Sequence, residues 1–290
     1  MTTDGAPPSN GQPALSDAHF AQFDRDGYVI IEPFLADDHR LRLISEVDAW
    51  AAGGIEDAYA PRDDRRSAHE RVQLALHEHG LLVSHPPLMA IVETLLGRGF
   101  AYHHLHTTRF DAGSNGVQWH HDYMQFPQSN RSHGMVHCFF YLSGLNGTIG
   151  DLLLRPGSHR LVVDSAAIGS FGTEDLPGSI AIDRLAPGSL VVVHSALWHA
   201  RRKKPGGEGR PRYFVDASYC QAGIRWPSDY GDWRSKLRVA QDRGLDRDGR
   251  FSHLFDEAHF FDVAEARQRL ARENVGSWLE RVAPPPVGPV

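Results

Sequence analysis

Cysteine and lysine are the scarce residues of this 290-residue chain: two cysteines, Cys138 and Cys220, and three lysines, Lys203, Lys204 and Lys236. Two cysteines build neither a disulfide framework nor a four-cysteine zinc site. No lysine lies in a GxxxxGK[ST] loop, which excludes Walker-type nucleotide chemistry, and so few make Schiff-base catalysis a poor fit. No apolar run approaches the roughly 20 residues of a membrane span. The opening segment, MTTDGAPPSNGQPALSD, lacks the apolar stretch of a secretion signal. The expected setting is cytoplasmic, with both cysteines reduced and packed. Basic charge is not in excess either. The 30 Lys+Arg stand against 36 Asp+Glu, a formal net charge of −6 that gives no general drive toward nucleic acid.

What the chain has in abundance is histidine, 18 residues in an otherwise ordinary soluble composition of 41% hydrophobic and 23% charged residues. The arginine excess reads as compositional. Residues 1–15 read as a disordered lead, 16–282 as a single domain, and 283–290 as a Pro-rich tail. Within the domain, 16–98 is mostly helical. Ser16-Asp17 starts a helix, Tyr28-Val29-Ile30-Ile31 reads as a strand, and Asp37-Asp38 cap a second helix with Leu41, Ile44, Val47 and Trp50 inward. A third helix follows Ser84, with Pro86 in its first turn. From about 100 to 222 the texture becomes short β-type runs at 101–110, 135–143, 151–155, 179–184, 189–194 and 212–220, which suggests an antiparallel sandwich or barrel. Residues 223–250 read as an irregular aromatic excursion able to act as a lid, and 257–281 as a last helix. The two DRDG strings, at 24–27 and 246–249, lack the ligands of a calcium loop and read as turns.

The sharpest motif is Gln118-Trp119-His120-His121-Asp122-Tyr123. In an extended segment residues i and i+2 share a face, so His120 and Asp122 can converge on one ion while His121 points away. An imidazole and a carboxylate are two thirds of the 2-His-1-carboxylate set of non-haem Fe(II) oxygenases. A third ligand should come from the later run Gly188–His194 and its continuation Ser195-Ala196-Leu197-Trp198-His199. In the next strand Arg212, Phe214, Asp216 and Ser218 share a face, and an arginine entering a cavity there can clamp a carboxylate bidentately.

With these residues in place, the sequence resembles the phytanoyl-CoA dioxygenase-like branch of the Fe(II)/2-oxoglutarate-dependent oxygenases over roughly 17–222. The resemblance rests on "DGYVIIEPFL", "WHHDY", "NGTIGDLLLRPGSHR", "PGSLVVVHSALWHA" and "RPRYFVDASY". It implies a mainly β fold, a double-stranded β-helix (jelly roll) buttressed by helices. It implies Fe(II) held by His120, Asp122 and His199, with Arg212 on the distal carboxylate of 2-oxoglutarate and O2 as the second co-substrate. His199 is preferred to His194 by its place just past the strand, and Arg212 to Arg210 by the seven-residue spacing to Tyr219. Related sequences place the strand YHHLHTTRFD along the pocket, which makes Thr107 a candidate cofactor contact and Arg109 a further one. His103, His104 and His106 read equally well as satisfied polar groups, and His159 as structural. His77, His79, His85, His253 and His259 read as surface or packing residues.

The implied reaction is hydroxylation of an unactivated C–H bond of a small molecule, such as a secondary metabolite, with release of succinate and CO2. Asp122 argues against halogenation, for which related enzymes carry a small residue at that position. Desaturation, cyclisation, epoxidation and epimerisation share the same cofactors and stand as alternatives. A 2-oxoglutarate-independent cupin-type dioxygenase and a non-catalytic jelly-roll binding protein are the competing classes. Arg201-Arg202-Lys203-Lys204…Arg210-Pro-Arg212 reads as a solvated loop or as a recruiter of an anionic, carrier-bound or CoA-linked substrate. Its lack of interleaved aromatics speaks against nucleic acid. Tyr123-Met124-Gln125-Phe126 and the aromatics Trp226, Tyr230 and Trp233 are the expected substrate neighbours.

Overall fold

The computed structural model describes residues 15–52, 73–111, 113–125, 131–163, 165–202, 209–228 and 233–272. Helix α1 (Asp17–Asp26) starts on a capping box in which the Ser16 side chain accepts from the His19 backbone and His19 returns the bond. It ends at Gly27, whose φ of 83° places it in the left-handed region. A Cβ at Gly27 would also lie 2.5 Å from His159 Nδ1. Gly27 is thus required twice, for the turn and for the seat of the Pro-Gly-Ser-His turn against the helix. Gly27→Ala is expected to destabilise the fold by about 1–3 kcal/mol, from backbone strain and this clash together. A thermal midpoint unchanged from wild type would contradict it.

Strand β1 (Tyr28–Ile31) then enters an antiparallel five-stranded sheet of order β1-β9-β4-β11-β2, with β2 at Phe100–Phe110, β4 at Met135–Tyr141, β9 at Ser189–His194 and β11 at Arg212–Gln221. Facing it is a four-stranded sheet of order β3-β10-β6-β7, built from Val117–His120, His199–Arg201, Leu152–Leu154 and Ile180–Ile182. A two-stranded ribbon, β5 (Leu145–Asn146) with β8 (Arg184–Leu185), joins them at one end. Phe139, Tyr141, Val191 and Val193 from the larger sheet pack with Leu152 and Leu154 from the smaller one, so the two sheets close on a shared core. This is the jelly-roll architecture expected from the sequence.

The larger sheet is covered on its outer face as well. Val136, Cys138, Phe140, Leu190, Val192, Val215, Ala217 and Tyr219 pack against α2 (Asp37–Ala52), α3 (His77–Leu82) and α4 (Pro86–Leu96). Burial on both faces explains why β4 and β9 read as unbroken apolar runs rather than alternating ones. Each large aliphatic side chain withdrawn from water in this way contributes about 1.5–3 kcal/mol. The inward stripe of α2 is Leu43, Val47 and Trp50, whereas Leu41, expected inward, is exposed. Both cysteines are free and buried.

Two expectations along the C-terminal part are corrected. The described residues of 223–250 are not irregular throughout. Strand β12 (Trp226–Ser228) and helix α6 (Trp233–Asp242) lie there, after the short helix α5 (Ser165–Gly169) earlier in the chain. Trp226 and Trp233 are buried in the outer core, with Leu237 and Ala240 completing the inward stripe of α6 at helical spacing. Tyr230 lies outside the described residues. The last helix begins later than 257. Glu257–His259 forms a 3₁₀ turn, Phe260–Asp262 forms β13 parallel to β12, and α7 runs Val263–Arg272. Phe260 is drawn into the core beside Trp233, and the Asp262 carboxylate accepts from the Glu265 backbone to start α7. Residues 273–290, and the N-terminal lead up to 14, lie outside the described residues. No helix among the described residues is long and apolar enough to cross a membrane.

Candidate metal centre

Strands β3 and β10 pair so that His120 stands directly opposite His199. One strand therefore ends, and the other begins, on an imidazole, and the two rings lie 4.1 Å apart by centroid. Asp122 is fixed just beyond β3 by its backbone N–H, which donates to Ser195 O at 2.8 Å. His120 Nε2 is 3.7 Å from Asp122 Oδ1, and His199 Nε2 is 3.2 Å from Asp122 Oδ2. One ligand atom from each of the three lies within 4.8 Å of the others.

The protonation pattern suits a cation. His120 Nδ1 donates to Gln118 O at 2.7 Å, and His199 Nδ1 donates to Leu197 O at 3.0 Å. Each carbonyl can only accept, so each Nδ1 carries a proton and each Nε2 is turned toward Asp122. That outer bond is the orienting contact typical of ligating histidines. Burial, helped by His199, pushes His120 down to about 4. Burial pushes the Asp122 carboxyl up, but His199 and His120 more than reverse this and hold it well below the usual carboxylate range. At neutral pH the pair is a neutral imidazole and a carboxylate, the forms that ligate.

His121 points away, as alternation requires, with Nε2 3.2 Å from Val163 O. His194 joins no metal-spaced cluster among the described residues. It stacks on Tyr123 and accepts from the Ala196 backbone, so it packs rather than ligates.

Arg212 opens β11 opposite Phe110 and is 3% exposed. Its guanidinium sits among the rings of Tyr141, Phe214 and Phe110, and Nη2 donates to the Tyr141 hydroxyl at 3.3 Å. Nε and Nη1 are buried with no hydrogen-bond partner. A buried cation with two unmatched N–H directions and no carboxylate paired with it among the described residues fits a ligand carboxylate. Arg210 is exposed and lines a surface cleft with Arg201 and Arg202. From Arg212 inward, Phe214 and Phe139 make a continuous aromatic floor that reaches the His199 ring, 5.5 Å from Phe139.

Thr107 is not brought to this site. It pairs with Val215 in register, on the outer face of β2, and its hydroxyl donates to Phe214 O. The register sets this: the β2 residues opposite Arg212, Phe214, Asp216 and Ser218 are Phe110, Thr108, His106 and His104. Arg109 shares the face of Thr107 and binds Asp48 and Asp111. Tyr123 and Gln125 are buried and hydrogen-bonded to each other, which braces the loop rather than lining an open pocket, and Phe126 lies outside the described residues. His159 bonds Asp24 O, in keeping with a structural role. In the basic segment Arg201 donates to Asn115 O, Arg202 pairs with Asp151 and Asp175, and Lys203 and Lys204 lie outside the described residues.

Sequence reasoning overlooked Tyr141, Phe139 and His137, all on the inner face of β4. Alternation through Met135–Tyr141 places these three together, but the unbroken apolar run hid the polar member.

The profile of the family described as "Phytanoyl-CoA dioxygenase (PhyH)" matches residues 23–204. Among curated proteins, none matches the sequence. Solved structures share the fold. The non-heme alpha ketoglutarate dependent epimerase SnoN from nogalamycin biosynthesis is 20% identical, with a TM-score of 0.56, over 71% of this chain and 80% of that one. HygX from Streptomyces hygroscopicus, solved with nickel and 2-oxoglutarate, is 17% identical, with a TM-score of 0.57, over 75% and 92%. EctD from S. alaskensis, solved with 2-oxoglutarate and 5-hydroxyectoine, is 20% identical, with a TM-score of 0.56, over 76% and 81%. With the family profile spanning well over half its length, the chain belongs to the phytanoyl-CoA dioxygenase family of non-haem, Fe(II)- and 2-oxoglutarate-dependent enzymes.

Proposed function

We propose that His120, Asp122 and His199 hold the iron, that Arg212 holds the distal carboxylate of 2-oxoglutarate, and that the enzyme hydroxylates an unactivated C–H bond of a small molecule. One observation carries this reading. Two imidazoles with backbone-locked Nδ1 atoms meet an ionised carboxylate, and a buried arginine with unmatched N–H groups closes the same sheet interior. When bound, Fe(II) and 2-oxoglutarate supply the oxidising equivalent from O2, with succinate and CO2 as co-products.

The chain's own part is placement. Asp122 supplies the single negative charge of the ligand set, and the Ser195 carbonyl fixes the peptide that carries it. Tyr141 and Phe214 hold the Arg212 fork in plane, so that it meets a carboxylate edge-on. The rings of Phe139 and Phe214 exclude water between that fork and His199.

Arg212→Ala is expected to raise the KM for 2-oxoglutarate roughly 30- to 1,000-fold, the effect of removing one member of a desolvated charge pair. Arg212→Lys recovers part of it and Arg210→Ala leaves the KM near wild type. The measurement is succinate formation against 2-oxoglutarate concentration. An Arg210 effect larger than the Arg212 effect contradicts the assignment. A panel of small molecules, with free acids and their CoA thioesters as separate arms, then reads the substrate class, and a product that gains one oxygen as a new C–OH identifies hydroxylation. The anionic or thioester-linked reading draws on the basic segment, where Arg210 is the exposed arginine. Epimerisation is the second reading, favoured by the likeness to the epimerase SnoN; it predicts succinate release with no oxygen gained by the product.

A further inference from the structure

The inner face of the larger sheet carries a second histidine–carboxylate cluster, separate from the one at His120. His104 on β2, His137 on β4 and Asp216 on β11 each offer one ligand atom within 4.8 Å of the others, and all three residues are buried. Asp216 Oδ2 is 2.8 Å from His137 Nδ1, 3.8 Å from His104 Nε2 and 3.7 Å from His106 Nδ1. Four-coordinate binding at 2.0–2.1 Å sets ligand atoms about 3.3 Å apart, a spacing these distances straddle.

Orientation agrees. His104 Nδ1 is engaged by Ser218 Oγ at 2.8 Å and by His103 Nδ1 at 2.9 Å, which leaves His104 Nε2 to face Asp216. The second carboxylate oxygen, Asp216 Oδ1, is buried without a hydrogen-bond partner, and so is His137 Nε2. A buried carboxylate with an unmatched oxygen is expensive unless a cation offsets it. The rings of Phe139 and Phe214 stand between the two clusters, which share no residue. Phe139 is 5.5 Å from His199 and 6.0 Å from His137, and Phe214 is 5.9 Å from His106.

We propose that His104, His137 and Asp216 form a second metal site that takes a first-row divalent cation, with His106 beside it on the same face. Two imidazoles and a carboxylate, with no thiolate in the group, suit zinc. The ion ties β2, β4 and β11 together across the inner face, behind the aromatic floor of the iron site.

The test is a zinc count. The chain is stripped with a chelator, dialysed against zinc and analysed by elemental mass spectrometry. Wild type is expected to hold two zinc ions per chain, because zinc also occupies the His120 site when iron is withheld. His199→Ala holds one, and Asp216→Asn and His104→Gln each hold one. A single zinc in wild type that His199→Ala removes overturns the proposal, as does retention of two by both Asp216→Asn and His104→Gln. Circular dichroism checks that each variant is folded. If either fails to fold, cobalt(II) in His199→Ala decides the matter. Intense visible bands of a four-coordinate nitrogen/oxygen shell support the site, and the weak bands of a six-coordinate surface ion overturn it.

Discussion

His199→Ala is expected to lower succinate formation at least about 1,000-fold, because it opens a coordination position and removes the lone pair opposite His120. Its stability is expected to stay within roughly 1–2 kcal/mol of wild type, since His199 lies at the start of β10, where its ring meets neighbours rather than filling the apolar core. The contrast with His194→Ala is informative. His194 is the less buried of the two but packs between rings, stacked on Tyr123 and next to His159. Its loss is expected to cost stability and to spare the bound iron. If His194→Ala lost iron and His199→Ala kept it, the ligand assignment would be reversed.

Acid sensitivity is the second large effect. His103 and His194 are pushed down to about 3, and His85 and His106 to about 4, in every case by burial first and neighbouring positive charge next or by burial against a weaker carboxylate. In the unfolded chain each titrates near 6.5. Between the folded and unfolded values the unfolded state binds more protons, so stability is complete above about pH 6.5 and is lost as the pH falls toward 4. Each such histidine steepens the loss by about 1.4 kcal/mol per pH unit. His137 works the other way. Burial pushes it down, but Asp216 more than compensates and raises it, so its contribution is present below 6.5 and declines above. Four depressed histidines outweigh one raised one. Urea unfolding of the metal-free chain should therefore show a falling midpoint from pH 7 downward and acid unfolding above about pH 4.5, before most carboxylates protonate. A midpoint constant between pH 7 and 5 contradicts this, and His194→Phe should flatten the slope by one histidine's share.

Legibility in the sequence followed the strength of local pattern. The strands were readable at 101–110, 135–143, 189–194 and 212–220 because β-branched and aromatic runs there are bounded by Gly, Pro and Asn. They appear at Phe100–Phe110, Met135–Tyr141, Ser189–His194 and Arg212–Gln221. His120 and Asp122 were readable because i, i+2 spacing in an extended chain has a single geometric meaning. Thr107 was misplaced because alternation names two faces without saying which one looks inward; only the pairing of Val215 with Thr107 settles that. The helix Trp233–Asp242 was hidden because one of its buried positions is Lys236, the others are interrupted by Arg and Ser, and its apolar stripe is narrow. Asp216 was seen to share a face with Arg212, but its partners His104 and His137 come from strands far away in sequence, and long-range register is not written in local spacing.

The central claim is that His120, Asp122 and His199 hold Fe(II) while Arg212 receives 2-oxoglutarate. Anaerobic titration of the metal-free chain with Fe(II) and 2-oxoglutarate tests it most directly, read as the weak visible charge-transfer band of chelated 2-oxoglutarate. Wild type should develop the band at one equivalent of iron, Arg212→Ala only at much higher 2-oxoglutarate, and His120→Ala not at all. No band in wild type, or an undiminished band in His120→Ala, would contradict the claim.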